Sequence, residues 1–380
     1  MTGVLAGPAA AAAERTRPGR AVGWRSAPVL VAVAFAVVAA GYRLALLVVD
    51  APPTNSDEAT MGLAALHILA GREFPAFFYG QHYMGTIEAY LAVPVFAVVG
   101  PSVLALRLPN LLLYLGFLAV MWMLTRRLYT PWFATFTVGL LALGSDRIVK
   151  NQLIAGGGYP ELNPAAAVLV LLAVNLARGS VRRPLLAYAV WGLVAGVMVW
   201  DEWLVLPYLA AAAVLLVWRR GSDLRGAAGL VAGATAVVGA TPLIMDYAVG
   251  GQNPIAVFRA LSEGGDASWA DRLYGGVLFG IPMGTGMCSP SHCAPWQLWW
   301  GIAAPVLLVV AGTAAVRALR PAHGDERVRQ AGRLALAAAA AVTVLAYARS
   351  DAAGATAVES ARYLSCLLVS LPAVLWPLWS

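Results

Sequence analysis

The sequence predicts an all-α, polytopic membrane protein of about ten transmembrane helices, with surface helices in its first outer loop. Three observations predict it. The chain is 60% hydrophobic, with a mean hydropathy of +0.73. Only 12% of its 380 residues are charged, about half the share usual in a soluble domain. The apolar residues fall in runs long enough to cross a bilayer, and arginines cluster between the runs. The net charge of +7 comes from those clusters, so it carries no nucleic-acid signal.

Taken in order, residues 1–27 form a basic tail carrying Arg15, Arg17, Arg20 and Arg25. The apolar run 28–49 is too long, and lies too far from the start, for a cleaved signal peptide, so a retained first helix is expected. A first outer loop follows over about 50–102. Within it, and beyond it, apolar stretches lie at 87–100, 103–125, 131–145, 163–177, 185–200, 204–218, 227–248, 298–316, 334–348 and 363–380. No soluble domain fits between them, so one transmembrane domain is expected over 28–380.

Positive residues mark the cytoplasmic side of a membrane protein. The clusters are the N-terminal one, Arg126/Arg127, Arg178/Arg182/Arg183, Arg219/Arg220/Arg225, and Arg317/Arg320/Arg327/Arg329/Arg333. An even number of crossings must separate neighbours. Three apolar stretches separate the first two clusters, one too many. The weakest is 87–100, which is short, contains Glu88 and ends at Gly100-Pro101. It is expected to lie at the outer surface or to re-enter, and not to cross. Ten spans then alternate strictly, with both termini inside. Of the 19 acidic residues, all but Glu14, Asp223, Asp325 and Glu326 then fall outside or at outer helix ends, Glu263 among them. Such crowding predicts a working surface there.

The candidate residues follow from this. Asp57, Glu58, Glu88, Glu161 and the pair Asp201/Glu202 lie at the outer boundary. A carboxylate there can act as general base on an acceptor hydroxyl, and several can bind a divalent cation or sugar hydroxyls. Basic residues outside are fewer: Arg147, Lys150 (the single lysine) and Arg362. Arg362 suits a phosphate. His82 near Glu88, with Glu161, is a candidate metal ligand. Gly156-Gly157-Gly158 lacks the spacing of a nucleotide phosphate loop and is expected to give a tight backbone path beside Glu161. Cys288 and Cys293 form a C-x4-C pair that can be a disulfide or two thiols, and Cys366 reads as helix packing.

Several stretches resemble the GT-C glycosyltransferase superfamily, in particular its protein O-mannosyltransferase and lipid A aminoarabinose transferase branch. They are S-D-E-A-x-x-G at 56–62, G-x-x-F-P-x-F-x-Y-G-Q-x-Y-x-G-x-x-E-A at 71–89, G-P-S-V-L-A-L-R-L-P-N at 100–110, L-I-A-G-G-G-Y-P-E-L at 153–162 and E-S-A-R-Y-L at 359–364. The resemblance implies surface helices in the first outer loop, Asp57 as catalytic base, and a polyprenyl-phosphate sugar donor whose anomeric centre is inverted. It implies substrate contacts from Gln81, Tyr83 and Tyr363 within those motifs, beside Glu58, Glu88, Glu161, Lys150 and Arg362. The sequence departs from some relatives in ending on an apolar run at Ser380 without their soluble C-terminal domain, so the expectation is a short member or a catalytically impaired one.

The expected function is therefore transfer of a sugar from a polyprenyl-phosphate donor to a glycan, lipid or protein acceptor on the outer face of the plasma (inner) membrane. Asp57 is the expected base, and a divalent metal ion is the one cofactor that the carboxylates suggest. The rivals are a transporter or flippase, which would need polar groups at mid-membrane depth, and a non-catalytic subunit that binds lipid-linked sugar.

Overall fold

The computed structural model describes residues 25–250, 253, 255–256 and 266–379. Glu14, Arg15, Arg17, Arg20 and Glu263 lie outside the described residues. Among those described there is no strand, only helices and two isolated bridges. Among the described residues, seven helices are long and apolar enough to cross a membrane, or up to ten spans if each of three bent helix pairs counts as one.

The first helix, α1 (Ala27–Val48), starts with Pro28, whose missing N–H costs nothing in a first turn. Asn55 caps α2 (Ser56–Leu69) by accepting from the Glu58 N–H at 2.9 Å. Then comes α3 (Ile87–Val99), 13 residues or about 20 Å long, too short to span the hydrocarbon core. It is the helix expected over 87–100, and it packs with α2 beside the start of α4 (Val103–Leu128).

The stretch 131–145 differs from expectation. It is helical only as α5 (Pro131–Ala142), and after Gly144-Ser145 the chain turns 90° into α6 (Asp146–Leu153). The polar residues of Asp146-Arg147-Ile148-Val149-Lys150 suit a boundary and not a span. Buried Arg43 of α1 fastens the bend. It donates to Gln152 Oε1 at 2.7 Å and to the Ala142 carbonyl at 3.1 Å, and lies over the Tyr114 ring.

The long helices that follow are α7 (Tyr159–Arg178), α8 (Pro184–Asp201) and α9 (Leu206–Leu224), the last led by a 3-10 turn at Trp203–Val205. The 227–248 stretch is also bent, by 59°, between α10 (Ala227–Gly239) and α11 (Thr241–Ala248). Pro242 lacks the N–H that would continue the ladder. Residues 269–284, which no predicted span covered, are helical: α12 (Trp269–Leu273), a π segment and α13 (Gly280–Gly284). Two long helices, α14 (Trp299–Leu319) and α15 (Gly324–Arg349), come next. The last predicted span, 363–380, begins later than expected. After α16 (Asp351–Ala355), α17 (Ala357–Ser360) and a 3-10 turn holding Arg362 and Tyr363, the chain bends 74° into α18 (Leu367–Trp379).

The bundle has two chemically distinct ends. One gathers Glu58, Glu88, Glu161, Asp201 and Arg362. The other gathers Arg126, Arg127, Arg178 and Arg333; there Arg333 donates to the Leu128 carbonyl at 2.7 Å and Arg220 to the Leu176 carbonyl at 2.8 Å. Cys288 and Cys293 are joined in a disulfide, and Cys366 is buried. Introduced cysteines therefore report topology against a silent background. Glu73→Cys is expected to react with an impermeant maleimide from outside, and Arg126→Cys only after permeabilisation. Strong outside labelling at 126 would sink the ten-span arrangement.

Candidate functional site

Neighbouring residues on a helix point about 100° apart, so Asp57 and Glu58 diverge. Glu58 turns inward. It is fully buried, and its two oxygens accept from Arg107 Nε and Nη2 at 2.6 Å each. Expected to contact substrate or ion, Glu58 instead ties α2 to α4. Asp57 is half-buried and has no hydrogen-bond partner among the described residues. Both carboxylates lie in the first turn of α2, where the helix dipole favours negative charge.

A first group gathers around Tyr83. Burial raises its phenol pKa, and the charges and phenols acting on it are Tyr363, Arg362, Glu202 and Asp57. Arg362 lies over Tyr159, 5.1 Å from the ring centroid, and beside Tyr363 at 5.8 Å. Its Nε is buried without a partner. Arg147, unassigned from sequence, is a second cation near Arg362 and also has a partnerless buried Nε, while its Nη2 donates to the Val358 carbonyl at 2.6 Å. The ammonium of Lys150, one turn along α6, makes no hydrogen bond or ion pair among the described residues.

A second group consists of carboxylates alone. Glu88 in the first turn of α3, Glu161 in the first turn of α7 and Asp201 at the end of α8 are all buried, with one oxygen from each lying within 4.8 Å of the others. The glycine run makes this approach feasible. Gly157 and Gly158 take φ of 86° and 87°, which L side chains rarely adopt, and both N–H groups aim at Glu88 Oε1, at 2.9 and 3.1 Å. A Cβ on Gly85 would collide with the Asp201 carboxylate. The other Glu88 oxygen and all four oxygens of Glu161 and Asp201 are buried without a donor.

Buried acceptors facing one another need a proton or a cation between them. Five orphan oxygens from three carboxylates are a hard donor set that fits Mg²⁺, Mn²⁺ or Ca²⁺. His82, the expected partner of Glu161 in a metal site, is not in this group; its Nδ1 lies 4.0 Å from Asp246. Glu202 joins the two groups, since its charged neighbours are Arg362 and Glu88. Gln81 has a buried Oε1 without a partner, and Tyr363 packs edge-on against Tyr347. What sequence reasoning missed is Tyr159, a role for Arg147 and the pairing of Asp201 with Glu88 and Glu161. Asp201 had one usable signal, a carboxylate on the last residue of a span.

Burial pushes the Glu88 carboxyl from 4.5 up to about 7, against the pull of the Gly157 and Gly158 donors. The folded chain then holds a proton that the unfolded chain has already released. This carboxyl therefore makes stability fall as pH rises from about 4.5 through about 7. Chelator-treated protein is expected to show this as a declining melting temperature. Mn²⁺ should restore it at about pH 7.5 and not at about pH 5, because only ionised carboxylates hold the ion. A melting temperature insensitive to cations at the higher pH would remove the ion from this site.

No family model matches the chain, and no curated protein does. Among solved structures, it is similar to the Archaeoglobus fulgidus oligosaccharyltransferase in its apo form, at 12% identity and a TM-score of 0.47, over 91% of this chain and 50% of that one. It is likewise similar to the oligosaccharyltransferase AglB of Archaeoglobus fulgidus in complex with an inhibitory peptide and a dolichol-phosphate, at 13% identity, with the same TM-score and coverage. The chain thus spans about half the length of the structures it matches.

Proposed function

We propose that the chain is an inverting membrane glycosyltransferase of GT-C type, working on a polyprenyl-phosphate sugar at the outer face of the membrane. The observation that carries this reading is the setting of Asp57. A half-buried carboxylate without a partner shares the surroundings of Tyr83 with Arg362, a cation whose buried Nε lacks an acceptor. A base and a phosphate binder are the two groups such a transfer needs within reach of one another.

In the reaction, the acceptor hydroxyl attacks the anomeric carbon from the face opposite the phosphate. The bond from that carbon to the phosphate oxygen breaks, and polyprenyl phosphate leaves with the electron pair. Asp57 takes the hydroxyl proton as the new bond forms. Arg362, held among Tyr159, Tyr363 and Tyr83, opposes the charge growing on the departing phosphate. Gln81, Tyr83 and Tyr363 supply polar contacts to the sugar. Glu58, turned to Arg107, holds α2 so that Asp57 faces the reacting atoms. A divalent cation on Glu88, Glu161 and Asp201 would add positive charge beside the donor.

A transporter reading would favour carboxylates at mid-span. Here Glu88, Glu161 and Asp201 lie in the first or last turn of their helices. The disulfide near the same end suits an oxidising outer side. The test is transfer of labelled sugar from polyprenyl phosphate in membranes carrying the wild-type chain or Asp57→Asn in matched amounts. Absence of wild-type transfer from a panel of polyprenyl-phosphate sugars would overturn the reading.

A further inference from the structure

At the arginine end, the C-termini of α4 and α7 and the start of α15 enclose a cavity of about 440 Å³. Four arginines line it, Arg126, Arg127, Arg178 and Arg329, against two carboxylates, Asp325 and Glu326, which leaves two net positive charges. The carboxylates are already engaged. Asp325 pairs with Arg178 at 2.8 Å, and Glu326 accepts from Arg329 and from Gln330.

The remaining cationic capacity has no taker. The Arg127 guanidinium donates no hydrogen bond among the described residues, and the charges around it are Arg178, Arg126 and Asp325. Arg126 lies over the Trp122 ring at 4.7 Å. The Nε atoms of Arg178 and Arg329 are buried without an acceptor. Buried donors left unpaired cost free energy, and guanidinium groups gathered at one mouth repel. An anion with several acceptor oxygens relieves both, and the guanidinium fork matches phosphate.

We propose that this cavity binds an anionic phosphate group, supplied by the headgroup of an anionic phospholipid or by free phosphate. Its depth suits the lipid source. Arg178 lies about 25 Å along α7 from Glu161, close to one hydrocarbon thickness, which sets the cavity level with the headgroups of the opposite leaflet. The site shares no residue with the Asp57 region, so it does not rest on the glycosyltransferase reading.

The test uses the purified full chain in neutral detergent. It is titrated with short-chain phosphatidylglycerol, with phosphatidylcholine of equal chain length, and with inorganic phosphate, and binding is read as a rise in melting temperature. Phosphatidylglycerol is expected to bind and phosphatidylcholine not. Inorganic phosphate reproducing the effect assigns the site to a soluble anion; phosphatidylglycerol alone assigns it to lipid. Removing one charge with Arg127→Gln should weaken binding about 5-fold, and Arg126→Gln with Arg127→Gln roughly 25-fold. Asp325→Asn adds net positive charge and frees Arg178, so it should tighten binding by a similar factor; this variant carries the test if the double variant does not fold. Equal affinity for the two lipids with no response to inorganic phosphate, binding of no anion, or affinities unmoved by these substitutions would overturn the proposal.

Discussion

Asp57→Asn is expected to cut sugar transfer by about 10²–10⁴-fold, the usual contribution of a general base. An acceptor hydroxyl is a weak nucleophile at neutral pH, and the amide keeps the shape of the carboxylate without its ability to take the proton. The Asp57 carboxylate makes no hydrogen bond among the described residues, so its loss should change the melting temperature little. Asp57→Glu shifts the carboxylate by a methylene, and a misplacement near 1 Å can cost about 10²-fold. Measurement of labelled-sugar transfer, with each variant matched for amount, checks both. Near-normal transfer by Asp57→Asn would move the base to Glu202, which lies near both Arg362 and Glu88, or to Glu161 beside Glu88.

Loss of Arg107 should act on stability. Glu58 and Arg107 are 0% and 1% exposed and joined by two short hydrogen bonds. Arg107→Met leaves a buried carboxylate without its partner, and such breaks cost about 3–5 kcal/mol. The pairing also fixes which face of α2 turns inward, so transfer should fall together with the melting temperature. Replacing both partners, as Glu58→Leu with Arg107→Met, removes the uncompensated charge and should recover most of the stability. Thermal melting in one detergent at fixed pH separates the outcomes. If Arg107→Met melts as the wild-type chain does, the ion pair is not what anchors α2.

The all-α, multi-span architecture was legible in the sequence because hydropathy and charge clustering are local properties. A run of apolar residues declares a span wherever it lies, and arginine spacing orders the spans. The surface helix over 87–100 emerged from that parity. Bends are less local. The turn after Ala142 depends on Arg43, a hundred residues earlier, reaching Gln152 and the Ala142 carbonyl. The run 131–145 alone gave no sign of it.

Residue chemistry showed the same divide. The acidic end of the chain and Arg362 were visible as charges at membrane boundaries. Which charge does what was not. Asp57 and Glu58 are adjacent and chemically alike, and only the packing of α4 against α2 commits one to Arg107 and leaves the other open. Glu88, Glu161 and Asp201 come from three helices far apart in the chain, and each alone reads as a boundary carboxylate. Their meeting rests on a left-handed turn at Gly157-Gly158 and on a glycine at 85 that leaves room for Asp201. By itself the sequence determined that the chain is built of apolar helices of membrane-spanning length and where its charges collect, because solvent and lipid read those residue by residue. Tertiary structure decided which of those charges face one another, because that depends on the ends of distant helices converging.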